Sequence, residues 1–296
     1  MRYPAYEPLI SPARPKSEFW RLGLGVGLCF VLYLIGATVY TQLVAAMFSV
    51  PIWAVAVGLT NGAQPEWTLA MLFSFTAMAL APMIVVKWLH QRPVQTLFGP
   101  LPSTVRDGVR VVVAIAILQV VLEILPPWDA YGAVRNAALT VPHWLALLPL
   151  SLLGVLIQTG AEELFFRGYL QSQLAARFRS PLVWMLIPSA LFAAGHYDPV
   201  MMGENALWIT AWAFAFGMLA ADLTARTGSL GAAIGFHFAN NVYAMIIIGF
   251  PDNFGGLALY HLPFTTKELE PTNPLILLDF AIMLTAWLAA RVALRR

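Results

Sequence analysis

The sequence predicts an all-α, polytopic membrane helix bundle with about eight transmembrane helices and both termini in the cytoplasm. Composition is the first ground: 59% of the 296 residues are hydrophobic and only 11% are charged, where a soluble domain carries about 25% charge. The second is length. A spanning helix needs about 20 mostly apolar residues, and such runs take up more than half of the chain. The third is where the basic residues fall, because cytoplasmic loops collect Lys and Arg.

Taken in order, the expected spans are residues 21–48, 67–88, 109–125, 144–177, 182–196, 206–226, 230–250 and 275–294. With eight spans and cytoplasmic termini, every one of the 17 basic residues except Arg135 and Lys267 falls on one side. These include Arg2, Arg14, Lys16 and Arg21 before the first span, Lys87, Arg92, Arg106 and Arg110 around the second link, and Arg291, Arg295 and Arg296 at the end. Residues 1–18 are polar and proline-containing, and the run that follows is too long for a signal-peptide core and lacks a small-residue cleavage site. The first helix is therefore expected to be retained. The expected organisation is a cytoplasmic segment 1–18, N-terminal helices 19–142, a polar-residue-bearing core 143–250, an extracytoplasmic loop 251–274 and a last helix 275–296. Residues 51–66 are likewise expected to be a loop. The lone Cys29 allows no intramolecular disulfide.

Ionisable residues inside hydrocarbon are costly and are expected to face the bundle interior. Here they gather in one half of the chain: Glu162, Glu163 and Arg167 in the fourth run, His196 at the end of the fifth, and His237, Asn240 and Asn241 in the seventh. If the fourth and fifth helices turn back near residues 179–181, Glu162 and His196 lie about 25 Å and about 23 Å from the turn, at one level. From the turn near residues 227–228, His237 and Asn241 stand about 14 Å and about 20 Å away, close to the same layer. A single polar pocket nearer the cytosolic side accommodates all of them.

Spacing then separates the two acids. Glu163 and Arg167 stand at i and i+4 with the acid first, the favourable order for an ion pair, while Glu162 projects about 100° away. Glu162 is left over. Low dielectric without a countercharge favours the protonated form of a carboxylic acid, the direction that a general base working near neutral pH requires. His237 and Asn241 share a face at i and i+4, and donors so paired can stabilise an oxyanion. Gly231 and Gly235 let that helix approach a neighbour, and Asn240, about 100° from Asn241, is expected only to pack. Asp222 and Arg226 are spaced for a structural ion pair.

The runs "EELFFRG" (Glu162–Gly168), "FAAGH" (Phe192–His196) and "GSLGAAIGFHFANN" (Gly228–Asn241) resemble the EExxxR, FxxxH and HxxxN motifs of the CPBP family, the CAAX-processing, Rce1-like intramembrane proteases that include bacteriocin-processing and self-immunity members. The resemblance covers residues 145–245. It implies a peptidase in which Glu162 and His196 activate a water, His237 and Asn241 hold the oxyanion, and Glu163 and Arg167 orient the helix or the substrate. It implies a membrane hydrolase acting on a protein or peptide, prenylated substrates included by the family's name, and no cofactor. Glu162, His196 and His237 also make a two-His, one-carboxylate set that leaves a zinc site open, although no HExxH is present.

The expected partners are membrane lipid and a peptide substrate. No basic patch with interleaved aromatics suggests nucleic acid, and the short loops point to a bacterial inner membrane. Two other classes stand beside the protease: a non-catalytic scaffold or immunity protein of the same ancestry, and a proton-coupled transporter, for which no inverted repeat is found.

Overall fold

A computed structural model describes residues 3–126, 131–270 and 272–295; Arg2 and Arg296 of the charge pattern lie outside them. The α-helices of six or more residues are α1 (Phe19–Phe48), α2 (Ile52–Asn61), α3 (Pro65–Ser74), α4 (Thr76–Trp88), α5 (Leu101–Ile124), α6 (Val141–Glu163), α7 (Ser172–Arg177), α8 (Pro181–Ala194), α9 (Ala206–Thr227), α10 (Gly231–Val242) and α11 (Pro274–Leu294). Each expected span falls on a helix or a pair of consecutive helices, except that 230–250 leaves the helix after Ile247. Among the described residues, five continuous helical stretches are long and apolar enough to cross a membrane: Phe19–Phe48, Pro65–Trp88, Val141–Arg177, Pro199–Thr227 and Pro274–Leu294. Phe30, Ile35 and Leu43 of α1 face outward, as suits a helix bathed in lipid.

The structure corrects the sequence reading in one place and adds three features that the reading did not contain. The expected loop 51–66 contains α2, an apolar helix too short to span. The chain is not purely helical, because β1 (Val134–Arg135), β2 (Ile248–Gly249) and β3 (Tyr260–His261) form a small sheet in which β3 pairs antiparallel to β1 and parallel to β2. Two-residue strands are below the length at which alternation becomes readable. The fourth span is interrupted: after Glu163 the backbone changes to π-helical turns over Leu164–Gln171 before α7 resumes. A run apolar on every side gives no periodicity from which to read that change.

The third addition is the N-terminal segment, which is a packed part of the fold. Tyr6, Leu9 and Ile10 are buried, and Tyr6 packs its ring against Trp184 of α8. Arg92 explains how the segment is held. Its guanidinium donates to Thr96 Oγ1 and Oγ-bearing Ser172 at 2.7 and 2.9 Å, to the Leu9 carbonyl at 3.1 Å and to the Thr96 carbonyl at 2.8 Å. Burial pushes Arg92 down to about 10, still cationic at neutral pH. Next to it, His90 bridges the Lys16 carbonyl and the Tyr169 hydroxyl, tying the N-terminal segment to the π-helical turns.

Helix α10 enters the bundle by close approach to α5. A Cβ at Gly231 would fall on the Thr104 carbonyl, and one at Gly235 would stand 2.5 Å from the Gly108 carbonyl oxygen. The small residues do what their spacing suggests, allowing backbone to meet backbone. Gly231→Ala and Gly235→Ala should each destabilise the protein by about 1–3 kcal/mol, the usual range for overpacking. Gly23→Ala and Gly27→Ala, where a Cβ meets nothing within 4 Å, should not. Thermal unfolding of the four detergent-purified variants checks this, and equal effects at both pairs of sites would refute it.

Candidate active site

The site is built where α6 ends, and the change of helix type there has a local consequence. Turns closed by i→i+5 bonds advance less per residue than α-turns, and π-helical turns occur frequently at functional sites. Arg167, Gly168, Tyr169 and Gln171 of these turns are all buried. Arg167 is fully enclosed, as is Glu163, and its Nη1 donates to Glu163 Oε1 at 3.1 Å. Its Nη2 donates to the Gly217 carbonyl of α9 at 3.1 Å, and its guanidinium lies 4.9 Å from the centre of the Phe192 ring. The expected i, i+4 pair is therefore present.

His237 of α10 completes the cluster. Its Nδ1 lies 2.9 Å from the same Glu163 Oε1, and its Nε2 lies 3.5 Å from Glu162 Oε2. A carboxylate already paired with Arg167 can only accept, so Nδ1 carries the proton in this bond, and in neutral His237 the Nε2 lone pair is left facing Glu162. Sequence spacing set the two acids about 100° apart; in the structure one imidazole approaches both. Glu162 is buried, and its Oε2 has no hydrogen-bonding partner. One guanidinium faces two carboxylates, and that guanidinium is committed to Glu163.

His196 lies just beyond the C-terminus of α8. Its Nδ1 donates to the Phe192 carbonyl at 2.8 Å, which leaves Nε2 as the basic nitrogen of the neutral ring. The two histidines are joined through an aromatic ring: Phe192 packs tilted against His196 with centroids 4.4 Å apart and meets the His237 ring edge-on at 5.9 Å. Phe166 and Phe216 close the wall around Phe192, and Phe216 also lies against His237 at 4.9 Å. The phenylalanine of the second motif thus spaces the site; the sequence reading gave it no role.

Asn241 donates from Nδ2 to Gln158 Oε1 at 2.8 Å, and Asn240 donates to Asn241 Oδ1 at 3.1 Å. The reading of Asn240 as a packing residue is corrected, since it is the first member of an amide chain. Gln158 was missed. The signal for it was its place one helical turn before Glu162, on the same face of α6.

Among the described residues no three His, Cys, Asp or Glu side chains are placed to hold a metal ion, Glu162, His196 and His237 included. The His237 nitrogens are directed at the two glutamates, and His196 Nδ1 is committed to a carbonyl.

All of these groups lie in residues 143–243, which match the family model described as "Type II CAAX prenyl endopeptidase Rce1-like". Residues 143–243 are an Rce1-like segment by this match. Over 246 residues, covering 81% of this chain and 81% of the relative, it is also 25% identical to "Uncharacterized protein YyaK" of Bacillus subtilis (strain 168). No solved structure matches. The matched segment runs from the third residue of α6 to the residue after α10, so helices α1–α5 and α11 lie outside it.

Within the matched segment, the buried ion pair gives a direct stability test. Removing Arg167 strands Glu163 without its countercharge, at a cost of about 3–5 kcal/mol. Arg167→Met should therefore lower the unfolding temperature strongly, and adding Glu163→Gln should recover part of the loss. A double variant no more stable than Arg167→Met would show that the stranded carboxylate is not what the single variant suffers from.

Proposed function

We propose that the protein is an intramembrane endopeptidase that hydrolyses a peptide bond with a water activated by Glu162. One observation carries this: in a buried cluster of two adjacent carboxylates, Arg167 and His237 both bond to Glu163 Oε1, while Glu162 has no cation of its own and its Oε2 stands 3.5 Å from His237 Nε2 without a hydrogen bond. A charge network built only for stability has no use for that second acid.

In this reading Glu162 takes a proton from water, the hydroxide adds to the scissile carbonyl carbon, and the carbonyl oxygen becomes an oxyanion. The C–N bond then breaks, and Glu162 returns its proton to the departing amine nitrogen. His196, with Nε2 as its basic nitrogen, assists in holding the water. The oxyanion is placed against Asn241, whose amide has a second N–H besides the one given to Gln158, and against His237 Nε2 when that nitrogen is protonated. Glu163 and Arg167 fix the end of α6 and orient His237. No step needs a metal.

The substrate is a protein or peptide. The family description names prenyl endopeptidases, so a prenylated chain end is one member of the class, although no residue described above requires it. The protein is an integral membrane protein, and we place it in a bacterial cytoplasmic membrane, surrounded by lipid, with both termini cytoplasmic as the distribution of Lys and Arg favours.

The test compares peptide termini in cells carrying wild type, Glu162→Gln and Glu163→Gln at matched membrane levels. Termini dependent on the protein should vanish in Glu162→Gln, a substitution that keeps size and removes the base. If deletion of the protein changes the cells while Glu162→Gln leaves every terminus intact, the protease reading falls and a scaffold or immunity protein takes its place.

A further inference from the structure

We infer that Gln158 is a positioning residue for hydrolysis, one that sets the plane of the Asn241 amide so that its free N–H meets the oxyanion; this rests on the protease reading above. Gln158 is 6% exposed and lies on α6 one turn before Glu162, in the regular α-helical stretch that precedes the π-helical turns. Residues at i and i+4 of an α-helix share a face, so Gln158 faces the same side as the acid. Its Oε1 accepts from Asn241 Nδ2 at 2.8 Å, across 83 residues of sequence, and thereby joins the helix that carries the two glutamates to the helix that carries His237.

An asparagine amide can rotate, and an oxyanion site built from one works only if the donor is fixed before charge develops. Asn241 is fixed at both ends. Asn240 donates to its oxygen and Gln158 accepts from its nitrogen, which settles which end of the amide is the donor and uses one of its two protons. The other proton is left for substrate. In a membrane interior the alternative to such fixing is an amide that turns to any available acceptor, with Glu162 one turn away on the facing helix. Gln158 therefore serves two ends: it aligns Asn241 and keeps that amide off the base.

The experiment uses the full-length protein in membranes and the Glu162-dependent termini defined above, quantified for Gln158→Met, Asn241→Ala and the double variant. Gln158→Met keeps the length of the side chain and removes the hydrogen bond. It should lower the rate at which these termini form by about 100-fold, the effect of misplacing a catalytic group by about 1 Å. Asn241→Ala should lower it by about 100- to 1,000-fold, as loss of an oxyanion donor does. Because Gln158 acts through Asn241, the double variant should be no slower than Asn241→Ala alone. A merely structural glutamine would give multiplying effects, and that result overturns the inference, as does a Gln158→Met variant with wild-type rate. Unfolding temperatures of the purified variants separate a folding defect from a catalytic one: non-multiplying rates in variants of unchanged stability support the inference, and a rate loss tracking stability refutes it. If no termini depend on Glu162, the protease reading has failed and the role of Gln158 fails with it. If they depend on Glu162 but not on Gln158, only the present inference falls.

Discussion

Glu163 Oε1 accepts from Arg167 at 3.1 Å and from His237 at 2.9 Å, in a place where water cannot reach either partner. Two charges taken out of water are tolerable only when their geometry is satisfied by further partners. Here the Gly217 carbonyl and the face of Phe192 supply them on the cationic side, and His237 supplies one on the anionic side. The arrangement therefore needs α6, the π-helical turns, α8, α9 and α10 to be in place at once. These five elements are brought to a common point by one fully buried arginine, and Glu162 is positioned as a by-product of that convergence.

Packing sets the distances around this point. Backbone contact between α10 and α5, permitted by Gly108, Gly231 and Gly235, fixes how far His237 can lie from Glu163. Phe192 fixes how far the two histidines are from each other. Aromatic rings are well suited to the second task, since they fill volume without introducing a hydrogen-bonding group that would compete with the cluster. The polar site is thus framed by residues that offer no alternative partners, and the amide chain from Asn240 to Gln158 closes the remaining side.

At the other end of the same helix, Arg92 and His90 solve a different problem. They hold the N-terminal segment through its Leu9 and Lys16 carbonyls and reach Ser172 and Tyr169, the residues that follow Arg167 along the chain. A buried cation satisfied by neutral oxygens alone is an anchor for backbone, since the carbonyls at the ends of short helical turns such as Glu7–Ile10 and Ser11–Lys16 are otherwise left wanting donors. The base of the interrupted helix is thereby fixed as firmly as the top.

By itself the sequence determined that the chain is a membrane helix bundle, because hydrocarbon imposes length and polarity limits that composition reveals directly. It determined the Glu163–Arg167 pair and the Asp222–Arg226 pair, which depend only on i, i+4 spacing, and it isolated Glu162 by subtraction. It also marked Gly231 and Gly235 as contact points without saying with what. The tertiary structure decided the rest. That His237 addresses both glutamates follows from the approach of α10 to α6, which no spacing within either helix encodes. The π-helical turns after Glu163 were hidden because an apolar run on every face has no phase to read. Gln158 and Phe192 acquire their places only through partners 83 and 45 positions away in the chain, and long-range pairs of this kind exist for the physical reason that burial, unlike helix formation, is a property of the assembled bundle.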